Sequence, residues 1–295
     1  MSVVITCQNK VSIANFIDKT EQENEDYALM DTNHSKSCLI YAISDGAGGC
    51  GVYCKEWAIY LASKVPKTPL IINQSKSIGW FNNISKGFYE DIIAKQDLSD
   101  LVLQRKVFKE GSFATLAICW IDKNSNKLFY SSTGDSCLFY FEKSNGKYLL
   151  KAISSLNQQN DIDEAPNLLN WNIELGQELP FDSFEIENDF ILILASDSLS
   201  KWILLNIAKV DFSIITETHF NTHFINSLNN EKYQLRKSNI KLGSNLKDLN
   251  GLFDYLKTAS KDNEVFKQSM KILHENSELE IDDYSLIYVE GNVSK

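Results

Sequence analysis

Two strongly apolar segments of this chain each end in a serine followed by an aspartate. They are LIYAISD at residues 39–45 and FILILASD at residues 190–197. Each predicts a buried strand, and the second, an unbroken apolar run, predicts a strand that is covered on both faces. A sheet that holds such a strand needs a packing layer on each side. Each segment also places a carboxylate, Asp45 or Asp197, at the C-terminal end of its strand.

Glycines follow the first of these aspartates at once. The turn after Asp45 contains Gly46, Gly48 and Gly49. Glycine has no Cβ and tolerates positive φ, so backbone carbonyls and small ligands can approach the aspartate closely. Taken alone, the segment is either an ordinary turn after a strand or a ligand-binding loop.

The rest of the chain alternates between strand-like and helix-like blocks. Strands are predicted at 26–31 and 37–44 as a hairpin, at 112–121, 127–133, 136–142 and 147–153 as an antiparallel meander, and at 183–188, 190–197 and 284–290. Helices are predicted at 52–65, 75–95, 98–108, 199–209, 211–228 and 245–273, with breaks at Gly243 and Gly251, and residues 154–180 as loop. This order predicts an α+β fold in which two antiparallel sheets pack together and are flanked by helices, in a single domain over residues 1–295.

Composition restricts the class of protein. The formal net charge is −10, which argues against a nucleic-acid-binding surface. The N-terminus lacks a targeting pattern, and no stretch approaches the roughly 18 apolar residues of a membrane span. The six cysteines lie mostly in apolar runs and are predicted to be free thiols. We therefore expect a cytoplasmic monomer without nucleic-acid or membrane partners.

Two other residue pairs have the spacing of metal ligands. Cys50 and Cys54 are four residues apart, and so are His219 and His223. Neither pair has a further ligand nearby in the sequence, so we expect packed or solvated side chains rather than metal sites.

Acidic residues also precede two other strands. Asp26 comes directly before a strand that begins with Tyr27, and Asp282 and Asp283 come directly before one that begins with Tyr284. In antiparallel neighbours the end of one strand adjoins the start of the next, so these acids and the two strand-end aspartates can meet at one edge of the sheets. The alternative is a set of unrelated strand-end caps.

Carboxylates packed together repel one another unless cations are present. Ligand sets made only of oxygen atoms favour Mg²⁺ or Mn²⁺ over zinc or copper. Two such ions roughly 3.5–4 Å apart can activate a water molecule and stabilise an in-line displacement at phosphorus. The sequence therefore predicts a two-metal site for phosphoester hydrolysis. A two-metal nuclease is a further alternative, against which the acidic charge and the antiparallel strand order count.

Six short motifs extend in order over nearly the whole chain. They are Asn24-Glu25-Asp26, Asp45-Gly46-Ala47-Gly48-Gly49, GSFATLA at 111–117, Gly134-Asp135-Ser136, Ala195-Ser196-Asp197 and Asp282-Asp283-Tyr284-Ser285. Together they resemble the motifs of the type-2C metal-dependent protein phosphatases. The resemblance implies a four-layer αββα sandwich with a two-metal site in a cleft at one end. It further implies hydrolysis of phosphoserine or phosphothreonine in proteins by a metal-activated water, with a phosphoprotein and a cognate kinase as partners in signalling.

The resemblance also assigns roles by position. The expected metal ligands are Glu25, Asp26, Asp45, Gly46, Asp197, Asp282 and Asp283. Among them Asp45 would bridge the two metals, and Asp45, Asp197 and Asp282 form the expected catalytic set. Asp135 is expected to support the site. The expected cofactor is Mg²⁺ or Mn²⁺, as two ions with a third left open.

Four positions depart from the family pattern. Glu21 lies where the family has an arginine that holds the substrate phosphate, and Lys19 is a candidate to replace that arginine. Ala47 replaces a histidine that is the proposed general acid, a loss shared by many bacterial members. Ser198 replaces a glycine and Asp283 an asparagine. The metal site is therefore expected to be retained. The alternative function is that of a regulatory pseudophosphatase domain, which binds a phosphoprotein or a kinase without hydrolysis.

Overall fold

The computed structural model describes residues 2–32, 37–49, 51–69, 76–154, 161, 163–210, 226–239, 246 and 248–294. The strands are β1 (Ser2–Ile13), β2 (Asp26–Asp31), β3 (Cys38–Asp45), β4 (Phe113–Ala114), β5 (Leu116–Asp122), β6 (Lys127–Thr133), β7 (Cys137–Ser144), β8 (Lys147–Ser154), β9 (Leu169–Asn170), β10 (Phe181–Glu185), β11 (Phe190–Ala195) and β12 (Tyr284–Ser294). The helices are α1 (Cys54–Ser63), α2 (Lys76–Asp91), α3 (Leu101–Lys109), α4 (Asp197–Val210), α5 (Glu231–Asn239), α6 (Leu249–Ala259) and α7 (Asn263–Glu275), with short 3-10 helices at Glu21–Glu23 and Ile93–Lys95.

In the described part of the chain, ten strands form two five-stranded antiparallel sheets. One sheet has the order β1-β12-β11-β7-β8 and the other the order β10-β6-β5-β3-β2. The short strands β4 and β9 pair with each other. The predicted hairpin of β2 and β3 is confirmed, with Asp26 directly opposite Asp45 in the register.

The two sheets pack face to face, and the alternation along β3 shows how. Tyr41 and Ile43 lie in the apolar core between the sheets, whereas Ile40 and Ala42 lie in a second core beneath α1 and α2. Successive side chains of a strand point to opposite faces, so a strand that is apolar at every position is buried on both. The same alternation along β11 confirms the prediction for residues 190–197, because its side chains divide between the inter-sheet core and a third core.

Helices cover both outer faces. Trp57 of α1 and Phe88 of α2 pack on the β3 sheet, and their ring centroids lie 5.0 Å apart. On the other sheet, Trp202 of α4, Leu256 of α6 and Met270 of α7 belong to one buried cluster with side chains of β7 and β11. The architecture is therefore a four-layer αββα sandwich, which confirms the predicted α+β fold.

The predicted four-stranded meander over 112–153 is wrong. Strands β5 and β6 lie in one sheet, but β7 and β8 lie in the other. The chain changes sheets at Gly134, whose φ is +96°. A Cβ there would lie 2.6 Å from the Cγ2 of Thr115, so the crossing requires glycine. Residue 135 is thereby brought to the end of the sandwich.

The predicted break of the C-terminal helical region at Gly251 is also wrong. Gly251 lies in the first turn of α6, where its N–H donates to the carboxylate of Asp248, 2.9 Å away. The helices separate instead after Ser260, and α7 begins at the cap formed by Asp262, whose side chain accepts from the N–H of Val265. Gly243 and most of the predicted helix over 211–228 lie outside the described residues.

Two further predictions can be compared with the structure. Among the described residues, cysteines 7, 38, 54, 119 and 137 are thiols that form no disulfide bond, as predicted. Cys50, His219 and His223 lie outside the described residues. No helix in the described part of the chain is both long enough and apolar enough to cross a membrane.

Candidate metal centre

Two aspartates from one sheet face each other at its end. Asp26 begins β2 and Asp45 ends β3, in direct register. The backbone around Asp45 is held by Thr115, whose N–H donates to the Asp45 carbonyl at 2.9 Å and whose hydroxyl accepts from the Asp45 N–H at 3.0 Å. The neighbouring Ser44 hydroxyl donates to the Thr115 carbonyl at 2.7 Å. The strand end that presents Asp45 is therefore rigidly bound to the sheet.

The second sheet brings its acids together in a similar way. The Ser196 N–H donates to the Ser285 carbonyl at 3.1 Å, and the Ser285 N–H donates to the Ser196 hydroxyl at 3.0 Å. This reciprocal pair joins the end of β11 to the start of β12, between Asp197 and Asp282. The Ser198 hydroxyl then donates to Oδ2 of Asp282 at 2.8 Å.

The charges of these acids act on one another. Burial raises the pKa of Asp45 well above its usual range, and the charges of Asp26, Asp197, Asp282 and Asp135 raise it as well. We call these five residues the carboxylate cluster. The register confirms the meeting of two of these acids, since Asp26 lies directly opposite Asp45, and the joint metal site of all of them stays a prediction.

Asp26 is the least satisfied member of the carboxylate cluster. Its side chain is 5% exposed, and neither of its carboxylate oxygens has a hydrogen-bond partner in the described part of the chain. Burial, together with the charges of Asp283 and Asp197, raises its pKa to about 7. A buried polar group without hydrogen-bond partners is destabilising. A cation or a hydrogen-bond donor next to the Asp26 carboxylate would therefore stabilise it.

Asp282 is similarly perturbed. Burial and the charge of Asp197 raise its pKa to about 9. Its Oδ1 accepts from the N–H of Asp283 at 2.9 Å. At neutral pH the carboxylate of Asp282 would therefore hold a proton unless a cation stabilised its charged form.

One end of the carboxylate cluster contains a lysine that sequence reasoning missed. Lys201, one helical turn after Asp197 in α4, has its Nζ 3.5 Å from Oδ2 of Asp197 and 3.9 Å from Oδ2 of Asp135. Burial lowers the pKa of Lys201, but these two carboxylates outweigh it and leave the pKa above its ordinary value. Burial and Asp197 raise the pKa of Asp135 to about 6, against the opposing charge of Lys201. The i,i+4 spacing from Asp197 was the available sequence signal.

A second lysine, Lys19, contacts two acids outside the carboxylate cluster. The Lys19 Nζ is 2.8 Å from Oε2 of Glu25 and 3.0 Å from Oδ2 of Asp283. Asp283 also accepts from the N–H groups of Asn15 and Glu25, each at 2.8 Å. Asp283 therefore joins the chain segments around β1 and β2, and its oxygens are already engaged, unlike those of Asp26.

The glycine turn packs against Glu25, a neighbour that the sequence analysis did not predict. A Cβ on Gly48 would lie 2.2 Å from Oε1 of Glu25, and one on Gly46 would lie 2.7 Å from the Cys54 carbonyl oxygen. The Gly46 N–H donates to the Glu25 carbonyl at 3.1 Å, while the Gly46 carbonyl accepts from the Gly48 N–H at 2.9 Å. Close approach of the turn to Glu25 thus depends on the absence of side chains.

Glu21 contacts groups outside the carboxylate cluster. Its Oε2 accepts from the Ala14 N–H at 3.2 Å, and its Oε1 is 3.1 Å from the Nζ of Lys267 on α7. At Ala47, the N–H donates to the Phe113 carbonyl at 3.0 Å. Lys19, the candidate phosphate ligand, has its ammonium engaged by Glu25 and Asp283.

The donor chemistry of the carboxylate cluster fits a hard divalent ion, since it consists of oxygen atoms alone. As they stand, the described side chains include no group of three or more histidine, cysteine, aspartate or glutamate residues that could hold a metal ion. Like charges repel, so the carboxylates would draw together only around a bound cation. The partnerless Asp26 is the member that such an ion would satisfy.

A four-layer sandwich with acids from both sheets at one end defines the fold class, and comparisons place it among known folds. No protein-family model matches the sequence, and no curated protein matches it either. Among solved structures, the catalytic domain of the serine threonine protein phosphatase PstP, in complex with two manganese ions, is similar at 13% identity and a TM-score of 0.52. The match covers 99% of this chain and 100% of that one.

Other solved structures match with lower TM-scores. A bacterial serine phosphatase matches at 11% identity and a TM-score of 0.49, with 98% of each chain covered. The phosphatase domain of SpoIIE from Bacillus subtilis matches at 13% identity and a TM-score of 0.41, covering 100% of this chain and 95% of that one. The likeness to PstP establishes the fold, which is the one that the six sequence motifs implied.

Proposed function

We propose that this protein is a Mg²⁺- or Mn²⁺-dependent phosphatase that hydrolyses phosphoserine or phosphothreonine in proteins. The observation that carries the proposal is the buried, partnerless carboxylate of Asp26 directly opposite Asp45, among acids supplied by both sheets. A buried carboxylate in such surroundings is best explained by a cation that completes it. The fold shared with the PstP catalytic domain supports the choice of phosphoester over other substrates.

The proposed ligands follow from the placement of the acids. Asp45, Asp26, Asp197 and Asp282 would hold the metal, with Glu25 and the Gly46 carbonyl beside them. Asp283, whose oxygens are engaged by Lys19 and backbone N–H groups, would position Glu25 rather than bind metal. When bound, the metal would supply an activated water and stabilise negative charge at the phosphate.

The chain's own residues orient these ligands. Thr115 holds the backbone of Asp45 from both its N–H and its carbonyl. Ser198 holds one oxygen of Asp282 through its hydroxyl. Ligands fixed by such hydrogen bonds lose little freedom when an ion binds, and metal sites depend on this outer support.

The direct test is phosphate release from phosphoserine and phosphothreonine peptides by the purified protein with Mn²⁺, and with EDTA as the blank. We expect turnover with Mn²⁺ alone, and we expect Asp45→Asn to abolish it because a charge is removed from the ligand set. Asp254→Asn, at an exposed position of α6, is the matched control and should retain wild-type turnover. A protein that binds Mn²⁺ but releases no phosphate would refute the enzyme assignment.

A second candidate is a regulatory pseudophosphatase domain that binds a phosphoprotein or a kinase without hydrolysis. Glu21 favours it, because it lies at the sequence position where the resembled family has its phosphate-binding arginine, and its carboxylate pairs with Lys267. Glu21→Arg distinguishes the two candidates. A large gain in turnover would indicate a weakened site, whereas unchanged wild-type-level turnover would indicate that another group binds the phosphate.

A further inference from the structure

The ammonium of Lys201 lies inside the carboxylate cluster rather than on the protein surface. The Lys201 side chain is 12% exposed, and its Nζ contacts Asp197 from its own helix and Asp135 from the turn where the chain changes sheets. Two carboxylates on elements from different parts of the chain therefore share one internal positive charge.

Other lysines with i,i+4 partners are placed differently. The pairs Lys86–Glu90 and Lys271–Glu275 have side chains that are more than half exposed. Such solvated pairs contribute little and would be lost without consequence for a buried site. Lys201 instead neutralises carboxylates that are themselves largely buried, where removing one partner leaves an uncompensated charge.

An ion between Asp135 and Asp197 would compete with this ammonium. Each of the two carboxylates that would hold it has an Oδ2 within 3.9 Å of the Lys201 Nζ. A divalent ion placed there would lie next to a positive charge in a site of low dielectric, where repulsion between like charges is strong. No such competitor contacts Asp26, whose carboxylate oxygens are without hydrogen-bond partners in the described part of the chain.

We propose that Lys201 is a fixed internal cation that takes the place of a divalent ion at the Asp135–Asp197 end of the carboxylate cluster. Metal binding is then confined to the ligand set proposed above, Asp26, Asp45, Asp197 and Asp282, and no ion binds between Asp135 and Asp197. This inference deepens the proposed function and rests on its metal site, and it concerns how many ions bind rather than whether phosphate is released.

The test is the number of Mn²⁺ ions bound at saturation, measured by calorimetric titration and by loss of the free Mn²⁺ electron paramagnetic resonance signal. We expect Lys201→Met to bind one more Mn²⁺ than the wild type, because it leaves two carboxylates without a cation. Lys201→Arg keeps the charge and should bind the wild-type number. Lys271→Met removes an exposed i,i+4 pair and should also bind the wild-type number. An unchanged number in Lys201→Met, or a gain in Lys201→Arg, would overturn the proposal.

A second measurement needs no variant and decides the matter if Lys201→Met does not fold. Wild-type crystals grown with saturating Mn²⁺ should show no manganese anomalous peak between Asp135 and Asp197, with the Lys201 ammonium remaining there. A peak that bridges these two carboxylates would refute the internal cation. That result would leave the phosphatase proposal intact, and an absence of phosphate release with the expected ion count would refute only the phosphatase.

Discussion

Replacing Asp26 by asparagine is the change that best tests the physical basis of the carboxylate cluster. Its pKa is raised from an ordinary 3.8 to about 7, mainly by burial. At 1.36 kcal/mol per pKa unit, the ionised side chain destabilises the metal-free fold by about 4 kcal/mol above pH 7. A buried amide that lacks partners itself costs about 1–3 kcal/mol. We therefore expect metal-free Asp26→Asn to be more stable than the wild type by about 2 kcal/mol at pH 8.

The sign of the pH dependence follows from proton binding. Between pH 3.8 and pH 7 the folded state keeps a proton on Asp26 that the unfolded state releases, so the folded state binds more protons. The free energy of unfolding then falls as the pH rises through this window, and the full destabilisation is present above pH 7. Asp26→Asn removes this contribution and should flatten the decline.

The assay is urea unfolding at pH 5 and pH 8, in EDTA and in saturating Mn²⁺. Metal at about 100 times its dissociation constant should stabilise the wild type by about 2.7 kcal/mol and the variant by less. Asp254→Asn, on the surface of α6, controls for the loss of a negative charge and should behave as the wild type. The reasoning is refuted if metal-free Asp26→Asn is less stable than the wild type at pH 8, or if its stability falls with pH as steeply.

Two paired substitutions test the groups around the carboxylate cluster. Gly48→Ala should displace the Glu25 carboxylate, because the new Cβ would lie 2.2 Å from its Oε1. This variant should therefore bind Mn²⁺ more weakly in calorimetry. Gly49→Ala, with no atom within 4 Å of its Cβ, should bind Mn²⁺ normally. Equal Mn²⁺ affinities in the two variants would contradict this. Ser198→Ala loses a hydrogen bond of about 1–1.5 kcal/mol to the carboxylate cluster and should weaken Mn²⁺ binding about tenfold. Ser200→Ala loses an equally short hydrogen bond to the Ala195 carbonyl. It should lower the free energy of unfolding and leave the Mn²⁺ affinity unchanged. A similar affinity loss in both serine variants would argue against a specific role for Ser198.

Much of the carboxylate cluster could be predicted because its geometry is a consequence of strand polarity. Asp45 and Asp197 end apolar strands, while Asp26 and Asp282 precede strands, and antiparallel pairing brings such ends together. The structure places Asp26 directly opposite Asp45. The glycine turn was predicted to allow close approach to Asp45, but the contact that requires Gly48 is the one with Glu25.

Elements whose partners are distant in sequence could not be predicted in this way. The meander prediction failed at Gly134, because short strands joined by tight turns have the same local pattern whether or not the chain changes sheets. At the crossing Gly134 packs against Thr115, and such a contact between separate segments is not visible in the local pattern.

Hydrophobic periodicity and strand direction are local properties of the chain, so they were enough to predict most strands and helices and the two packed sheets with flanking helices. Which lysines neutralise the charges of the acids depends on the tertiary structure. Lys201 reaches Asp135 only because the chain crosses between sheets, and Lys19 reaches Asp283 from the other end of the sequence. Neutralisation of these charges depends on distances between segments that are remote in sequence, and local sequence patterns do not predict such distances.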